Sequence, residues 1–339
     1  MFANMPILPV IWFAVIGFAV AMYVILDGFS LGMGILYPFF KGDDRRDLMM
    51  GTVLPVWDGN QTWMVLAGAG LWGAFPEVYG TVLPAMYLPL VIMLLALIFR
   101  GIAFEFRHKS TRYRHMFDLA FSLGAIVGTF CQGVTLGGII DGISVVDGQF
   151  VGGSFTWFAP LPIFTGFALV FGYALLGAGW LVVKTEGAVQ AQAYKAVRPL
   201  TVILLIAMAV VSIWTPMHNS AIAARWFSTP NIYYLCIVPI LVALIAISIL
   251  MNATAASAEK RIFLKIVLLF MLGLIGLVVS FFPNIVPPSV TLWEAASSPA
   301  SQRFLIVGYA IILPIVLIYT AYSYYVFRGK VRLDNIHHY

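Results

Sequence analysis

Residues 7–37, ILPVIWFAVIGFAVAMYVILDGFSLGMGILY, are long enough to cross a bilayer and carry a single carboxylate, Asp27. About 20 mostly apolar residues suffice for a helix to span the hydrocarbon, so this stretch reads as a transmembrane helix with an acid inside it. No basic segment precedes it and no small-residue cleavage site lies before Asp27, so it is expected to stay in the mature chain and not to be a signal peptide. Asp27 is followed by Gly28-Phe29-Ser30-Leu31-Gly32-Met33-Gly34, and Pro38 stops the helix. If the helix meets the membrane surface near Tyr37, a rise of 1.5 Å per residue puts Asp27 roughly 15 Å deep. Gly28 and Gly32 make a small-xxx-small face that lets a neighbouring helix approach closely.

The rest of the chain repeats the pattern. Its 339 residues are 62% hydrophobic and 10% charged, with a mean hydropathy of +0.97. Soluble domains hold about 45–50% apolar and about 25% charged residues, so a soluble protein is excluded. Cys131 and Cys236 are too few for a disulfide framework and have no second metal ligand beside them. Without a long polar, proline-rich or glycine/serine-rich stretch, the chain has no linker and reads as one membrane body. Nine apolar stretches are expected to span: 7–37, 52–74, 79–102, 117–140, 158–183, 200–214, 233–251, 263–282 and 304–327. The sixth is the shortest, because Pro216 and His218 follow it closely.

Orientation follows from lysine and arginine, which concentrate in cytoplasmic loops. Seventeen of the nineteen fall in alternate connections, leaving only Arg225 and Arg303 on the opposite side. The amino terminus is therefore expected outside and the carboxyl terminus in the cytoplasm. A net charge of +5 then reflects basic groups facing anionic headgroups, and no nucleic-acid partner is expected.

Ionisable groups inside a bilayer are costly and are functional candidates by default. Asp43, Asp44, Asp47, Glu77, Asp141, Asp147, Glu186, Glu259, Glu294 and Asp334 lie between or beyond spans, and Glu105 and Asp118 at inner helix ends. Asp27 and Asp58 remain. Asp58 belongs to Trp57-Asp58-Gly59-Asn60-Gln61-Thr62-Trp63, about 9 Å in from Thr52 by the helical rise. Gln61 and Thr62 share its face and could hold the carboxylate or a file of water. The plainer explanation is an acid near a helix amino terminus, stabilised by the dipole; against it, two acids in the inner halves of adjacent spans read as a proton-conducting chain. Arg100, at the inner end of the third span, either pairs with one of them or snorkels to the headgroups.

Membrane haem proteins need axial ligands within the spans. Here His108 and His115 fall in the basic inner loop, His218 in an outer loop, and His337 and His338 in the tail, so no haem is expected to be ligated by this chain. The methionines read as packing or lipid-facing groups. No phosphate-binding loop, dinucleotide fingerprint, zinc motif or nucleophile elbow occurs. Most aromatic residues sit at span ends as interfacial anchors. Trp57 and Trp63, which bracket Asp58, either wall an apolar gas path or pack against a partner helix.

These motifs resemble a known family. Asp27-Gly28-Phe29-x-Leu31-Gly32, Trp57-Asp58-Gly59-Asn60-Gln61-x-Trp63, Phe99-Arg100-Gly101-x-x-Phe104-Glu105-Phe106-Arg107, and Pro287-Pro288-Ser289 with Trp293-x-Ala295-x-Ser297-Ser298 are similar to subunit II of cytochrome bd quinol oxidase, in its shorter, cyanide-insensitive oxidase form. The tryptophan-centred motif is the specific one, and the likeness extends over nearly the whole chain. The resemblance implies an all-α fold of nine transmembrane helices as two four-helix bundles, approximately 1–142 and 157–283, plus a peripheral ninth helix at 304–327. It implies a bacterial inner-membrane heterodimer whose subunit I carries two b haems, one d haem and the quinol site, reducing dioxygen to water with cytoplasmic protons. Asp58 and Asp27, with Gln61 and Thr62, would supply part of a proton path, Trp63 and Trp57 an oxygen route or subunit interface, and Arg100 a charge partner. Membrane lipid, a structural quinone and small single-helix subunits are the further partners it brings into consideration. No second acid stands at Ser30 or nearby, so the chain departs from any route that needs a further carboxylate there.

Two rivals stand beside this reading. A proton-coupled secondary transporter would show matched interrupted helices in two halves, and only one glycine-rich ending, at Asp27, is found. A structural scaffold would be indifferent to replacing Asp58.

Overall fold

Apolar runs of 18 to 32 residues can satisfy their backbone groups inside a bilayer only as helices, and helices dominate the computed structural model. It describes all residues except 1–5, 111, 147, 253–258 and 333–339; Asp147, Asp334, His337 and His338 lie outside the described residues. Helix α1 (Ile7–Leu36) closes in a tight turn at Tyr37–Phe39, followed by α2 (Asp43–Gly51), α3 (Trp57–Ala74), α4 (Pro76–Ala85), α5 (Tyr87–Phe106) and α6 (Arg114–Asp141). A hairpin of β1 (Val145–Val146) and β2 (Gln149–Phe150) leads to α7 (Pro160–Lys184), α8 (Gly187–His218), α9 (Ser220–Phe227), α10 (Asn231–Leu235), α11 (Ile237–Asn252) and α12 (Glu259–Phe281). A second hairpin, β3 (Asn284–Val286) with β4 (Val290–Thr291), precedes α13 (Pro299–Val326).

Among the described residues, eight helices are long and apolar enough to cross a membrane. They are α1, α5, α6, α7, α8, the α10–α11 pair, α12 and α13. Helix α3 is apolar only beyond Asn60 and Gln61, and is not one of them. Three boundaries differ from expectation. The second span opens at Trp57, since 52–56 form turns that join it to α2. The third is α5 alone, because the helix begun at Pro76 ends at Ala85, just beyond Pro84. The sixth runs 32 residues, because the polar stretch with Gln190, Lys195 and Arg198, expected as a loop, is helical too.

Helix α1 packs against α3, α6 and α7, while α5 lies on α6 and α7 on α8 and α12. The α1/α7 crossing is a backbone contact. A Cβ on Gly32 would lie 1.6 Å from the Tyr173 carbonyl oxygen, and one on Gly177 would lie 2.4 Å from the Gly32 carbonyl carbon. Small residues are what allow such an approach where no hydrophobic force acts between helices in lipid. From Asp27 to Tyr37 every residue of the chain is buried. Large apolar side chains such as Leu94, Ile98, Ile206, Leu244 and Ile318 face outward, each at least half exposed, as a lipid-bathed surface requires.

The two ends of the helix assembly differ. At the hairpin end, Ser297 N–H donates to the Ala74 carbonyl at 2.9 Å and Ile143 N–H to that of Pro287 at 3.1 Å, so the loops close over an apolar cluster around Trp12 and Phe75. At the other, arginine end, Asp118 accepts from Tyr37 Oη at 2.7 Å, from Arg46 Nη1 at 3.0 Å and from Arg107 Nε. Asp47 accepts from Arg107 Nη1 and Arg114 Nη2. Groups expected as loop and helix-end charges thus form one network around a wholly buried Arg107. Burial works against the Asp47 carboxylate, but the bonds from Arg114 and Arg107 outweigh it and hold this carboxyl below its usual range.

Candidate functional site

A full charge moved from water into low dielectric loses several kcal/mol even after relaxation, and persists only beside an opposite charge with further hydrogen bonds. Among the described residues, one ion pair is wholly buried on both sides. Arg100 Nη2 on α5 donates to Asp27 Oδ1 on α1 at 2.8 Å, and neither side chain has any exposed surface. Of the two fates open to Arg100, pairing is the one realised. Gly124 of α6 lets α5 press close on α6 at this point: a Cβ there would lie 2.5 Å from the Ala96 carbonyl oxygen and 3.0 Å from the Arg100 nitrogen. The Arg100 guanidinium also stands 6.0 Å from the centre of the Phe104 ring.

The pair is incompletely satisfied. Asp27 Oδ2, Arg100 Nε and Arg100 Nη1 are buried without a hydrogen bond. Tyr23 and Ser30 stand beside the carboxylate on α1, and Gln132 of α6 donates to Tyr23 Oη at 2.7 Å. Ser30 Oγ, Ser122 Oγ, Thr129 Oγ1 and Gln132 Oε1 are buried and unpartnered as well. Native interiors leave few such groups, each one calling for an explanation such as bound water or a functional role. Their concentration on α1, α5 and α6 marks a polar core suited to holding water and an ion pair inside an apolar assembly.

The other expected residues are placed differently. Asp58 lies in the first turn of α3 and is exposed in this chain; with the helix opening at Trp57 it is a dipole-favoured position, not a depth of two turns. Among the described residues no hydrogen bond joins it to Gln61, Thr62 or Asp27. Gln61 and Thr62 are half-buried, and Gln61 Nε2 is unpartnered. Trp57 stacks on Phe104 at 5.0 Å, and a Cβ on Gly101 would lie 3.5 Å from its ring, so it packs beside the helix of Arg100. Trp63 is fully buried and edge-on to Phe18 at 5.8 Å.

One residue escaped the sequence reading. Asn60, almost wholly buried, donates to the Leu26 carbonyl at 2.9 Å and accepts from Tyr324 Oη at 2.9 Å, joining α3, α1 and α13 beside Asp27. The signal for it was a carboxamide within the tryptophan-centred motif, masked by the more conspicuous Asp58. His115 and His218 lie in terminal turns and His108 in a connection, away from the polar core, and no group of metal-ligating residues is found among the described residues.

Comparison with known proteins gives a consistent picture. The chain is 25% identical to cytochrome bd-I ubiquinol oxidase subunit 2 of Escherichia coli (strain K12), with 97% of each chain covered. It is 27% identical to the probable cytochrome oxidase subunit 2 of Haemophilus influenzae, 96% of each covered, and 25% identical to cytochrome bd ubiquinol oxidase subunit 2 of Bacillus subtilis, covering 95% of this chain and 96% of the relative. In fold it matches a chain of the bd oxidase structure from Geobacillus thermodenitrificans, with a TM-score of 0.78 at 16% identity, covering 95% of this chain and 97% of that one. The family described as cytochrome bd terminal oxidase subunit II matches residues 8–327, and to that family this multi-pass membrane chain belongs.

Proposed function

We propose that the chain is the non-haem-ligating subunit II of a quinol:dioxygen oxidoreductase, paired with a haem-bearing subunit I in the bacterial inner membrane. In this reading α3 is the second of nine spans, α13 is the ninth and peripheral to two four-helix bundles, the hairpin end faces outside and the arginine end faces the cytoplasm. The single observation that carries the proposal is the buried Asp27–Arg100 pair with three of its polar atoms unpartnered. An ion pair of this kind contributes little net stability, so its retention inside hydrocarbon favours a role in moving or holding protons.

Two haems b and one haem d on the partner would supply the electron transfer and oxygen chemistry. This chain's residues hold the partner, exclude lipid and keep a hydrated acid within the membrane. Asp58, on the chain's surface at the arginine end, would be covered by the partner and offer protons there from the cytoplasm; Gln61 and Thr62 would hold it, with Trp57 and Trp63 forming the adjoining apolar wall. The test is the intact oxidase with Asp58→Asn, or with Asp27→Asn combined with Arg100→Gln so that no buried charge is stranded. The expected result is slower oxygen consumption with an unchanged reduced-minus-oxidised haem spectrum. Unchanged turnover in both normally assembled variants would leave only a scaffold.

A further inference from the structure

Helix α13 meets α3 along a seam at the arginine end, and the seam contains a small cavity with a few polar groups in its wall. About 10 Å³ is open between Gly59 and Asn60 on one side and Thr320, Ser323 and Tyr324 on the other, close to the room one water molecule needs. Thr320 is 8% exposed and its Oγ1 has no hydrogen bond, although a helical threonine can usually return its hydroxyl to a carbonyl of the preceding turn. Gly59 keeps the space open, since a Cβ there would lie 2.9 Å from Tyr319 Cε1. Asn60 has already spent one donor on Leu26 and one lone pair on Tyr324, and its amide retains a further donor and acceptor.

We infer that this seam is a binding site for a single water molecule, held by Thr320 Oγ1 and Asn60, which forms a hydrated neck to the Asp27 core separate from Asp58. The contacts run from the cavity to the backbone beside Asp27. The cavity borders Tyr324, Tyr324 hydrogen-bonds Asn60, and Asn60 hydrogen-bonds the carbonyl immediately before Asp27. Tyr324 is held edge-on against the stacked rings of Phe29 and Trp180, with ring centres at 6.3 and 6.0 Å. An apolar cavity of this size would stay dry, whereas one lined by an unpartnered hydroxyl and a carboxamide supplies the two to four partners a water requires.

The water site stands on geometry alone; its part in proton supply rests on the function proposed above. The experiment is a high-resolution cryo-EM map of the intact oxidase, wild type and Thr320→Val, with Thr320→Ser as the variant that keeps the hydroxyl. Ordered density beside Thr320 Oγ1 is expected in the wild type and in Thr320→Ser, and its loss in Thr320→Val; no density in a map that resolves comparable waters overturns the site. Turnover is then compared for Tyr324→Phe and Asp27→Asn, the latter always combined with Arg100→Gln so that no buried charge is stranded. A slowing by Tyr324→Phe that vanishes in the Asp27→Asn background supports the neck. An unaffected Tyr324→Phe beside a slowed Asp27→Asn overturns the neck and spares the function. Normal turnover in Asp27→Asn refutes the function while the density result still decides the site.

Discussion

At the arginine end Asp118 accepts three hydrogen bonds and Asp47 two, whereas in the interior Asp27 accepts one and leaves its second oxygen bare. Both clusters use arginine and aspartate. They differ in where the helices bring those residues. Near the ends of α1, α5 and α6, α2 lies across the bundle and contributes Arg46 and Asp47 to a many-membered network. Deep between α1, α5 and α6 only one basic group reaches Asp27, and the remaining polar atoms there are hydroxyls and amides. A redundant network tolerates the loss of one member, because each carboxylate keeps another partner. A lone buried pair does not, so the interior cluster has the properties of a site and the end cluster those of a clasp.

The largest effect should come from Arg100→Leu, which strands a buried carboxylate. Breaking a buried pair by removing one partner costs about 3–5 kcal/mol, so the yield of assembled oxidase should collapse. Replacing both partners, Asp27→Leu with Arg100→Met, should restore assembly without restoring turnover, which separates stability from function; a double variant as poorly assembled as the single one would count against that division.

Arg107→Leu at the arginine end should cost less, about 1–3 kcal/mol, since Asp118 keeps Arg46 and Tyr37 and Asp47 keeps Arg114. Thermal unfolding of the purified complex measures it. If this variant proved as damaging as Arg100→Leu, the contrast between clasp and site would be lost.

The pH dependence of the clasp has a defined sign. Asp47 is held below its ordinary value, near 4 in the unfolded chain (about 3.9), so the folded state binds fewer protons than the unfolded state in acid. Its contribution is complete above that unfolded value and is lost as pH falls through the lower folded one. Unfolding temperature followed from about pH 6 downward should drop more steeply in the wild type than in Asp47→Asn. The smallest effect belongs to Tyr37→Phe, which deletes one of the three bonds to Asp118, roughly 1 kcal/mol; an effect near that of Arg107→Leu would show that the network is not redundant.

Much of the molecule was legible beforehand. The apolar stretch around residues 7–37, its single acid, and the close-packing role of Gly32 follow from local composition, because hydrocarbon imposes helix and small residues permit contact. The break before α5 and the length of α8 were not legible. Pro84 and Pro89 sit in a run that looks continuous by hydropathy, and the polar turns after Gly187 resemble a loop until packing shows that one face is buried. Asp58 was read too deep for a related reason. Hydropathy carries no signal for where a helix begins when turns at 52–56 are as apolar as the span.

The amino-acid sequence by itself determined that this is a helical membrane protein with acids in costly places and basic groups segregated to alternate connections, because free energies of transfer depend on composition and order along the chain. Only the tertiary structure decided which acid acquired a partner. Asp27 and Arg100 lie 73 positions apart, and nothing local distinguishes an arginine that will snorkel from one that will turn inward. That choice depends on the glycine contacts that set how closely α1, α5, α6 and α7 approach, and on which polar groups those approaches leave facing one another out of reach of water.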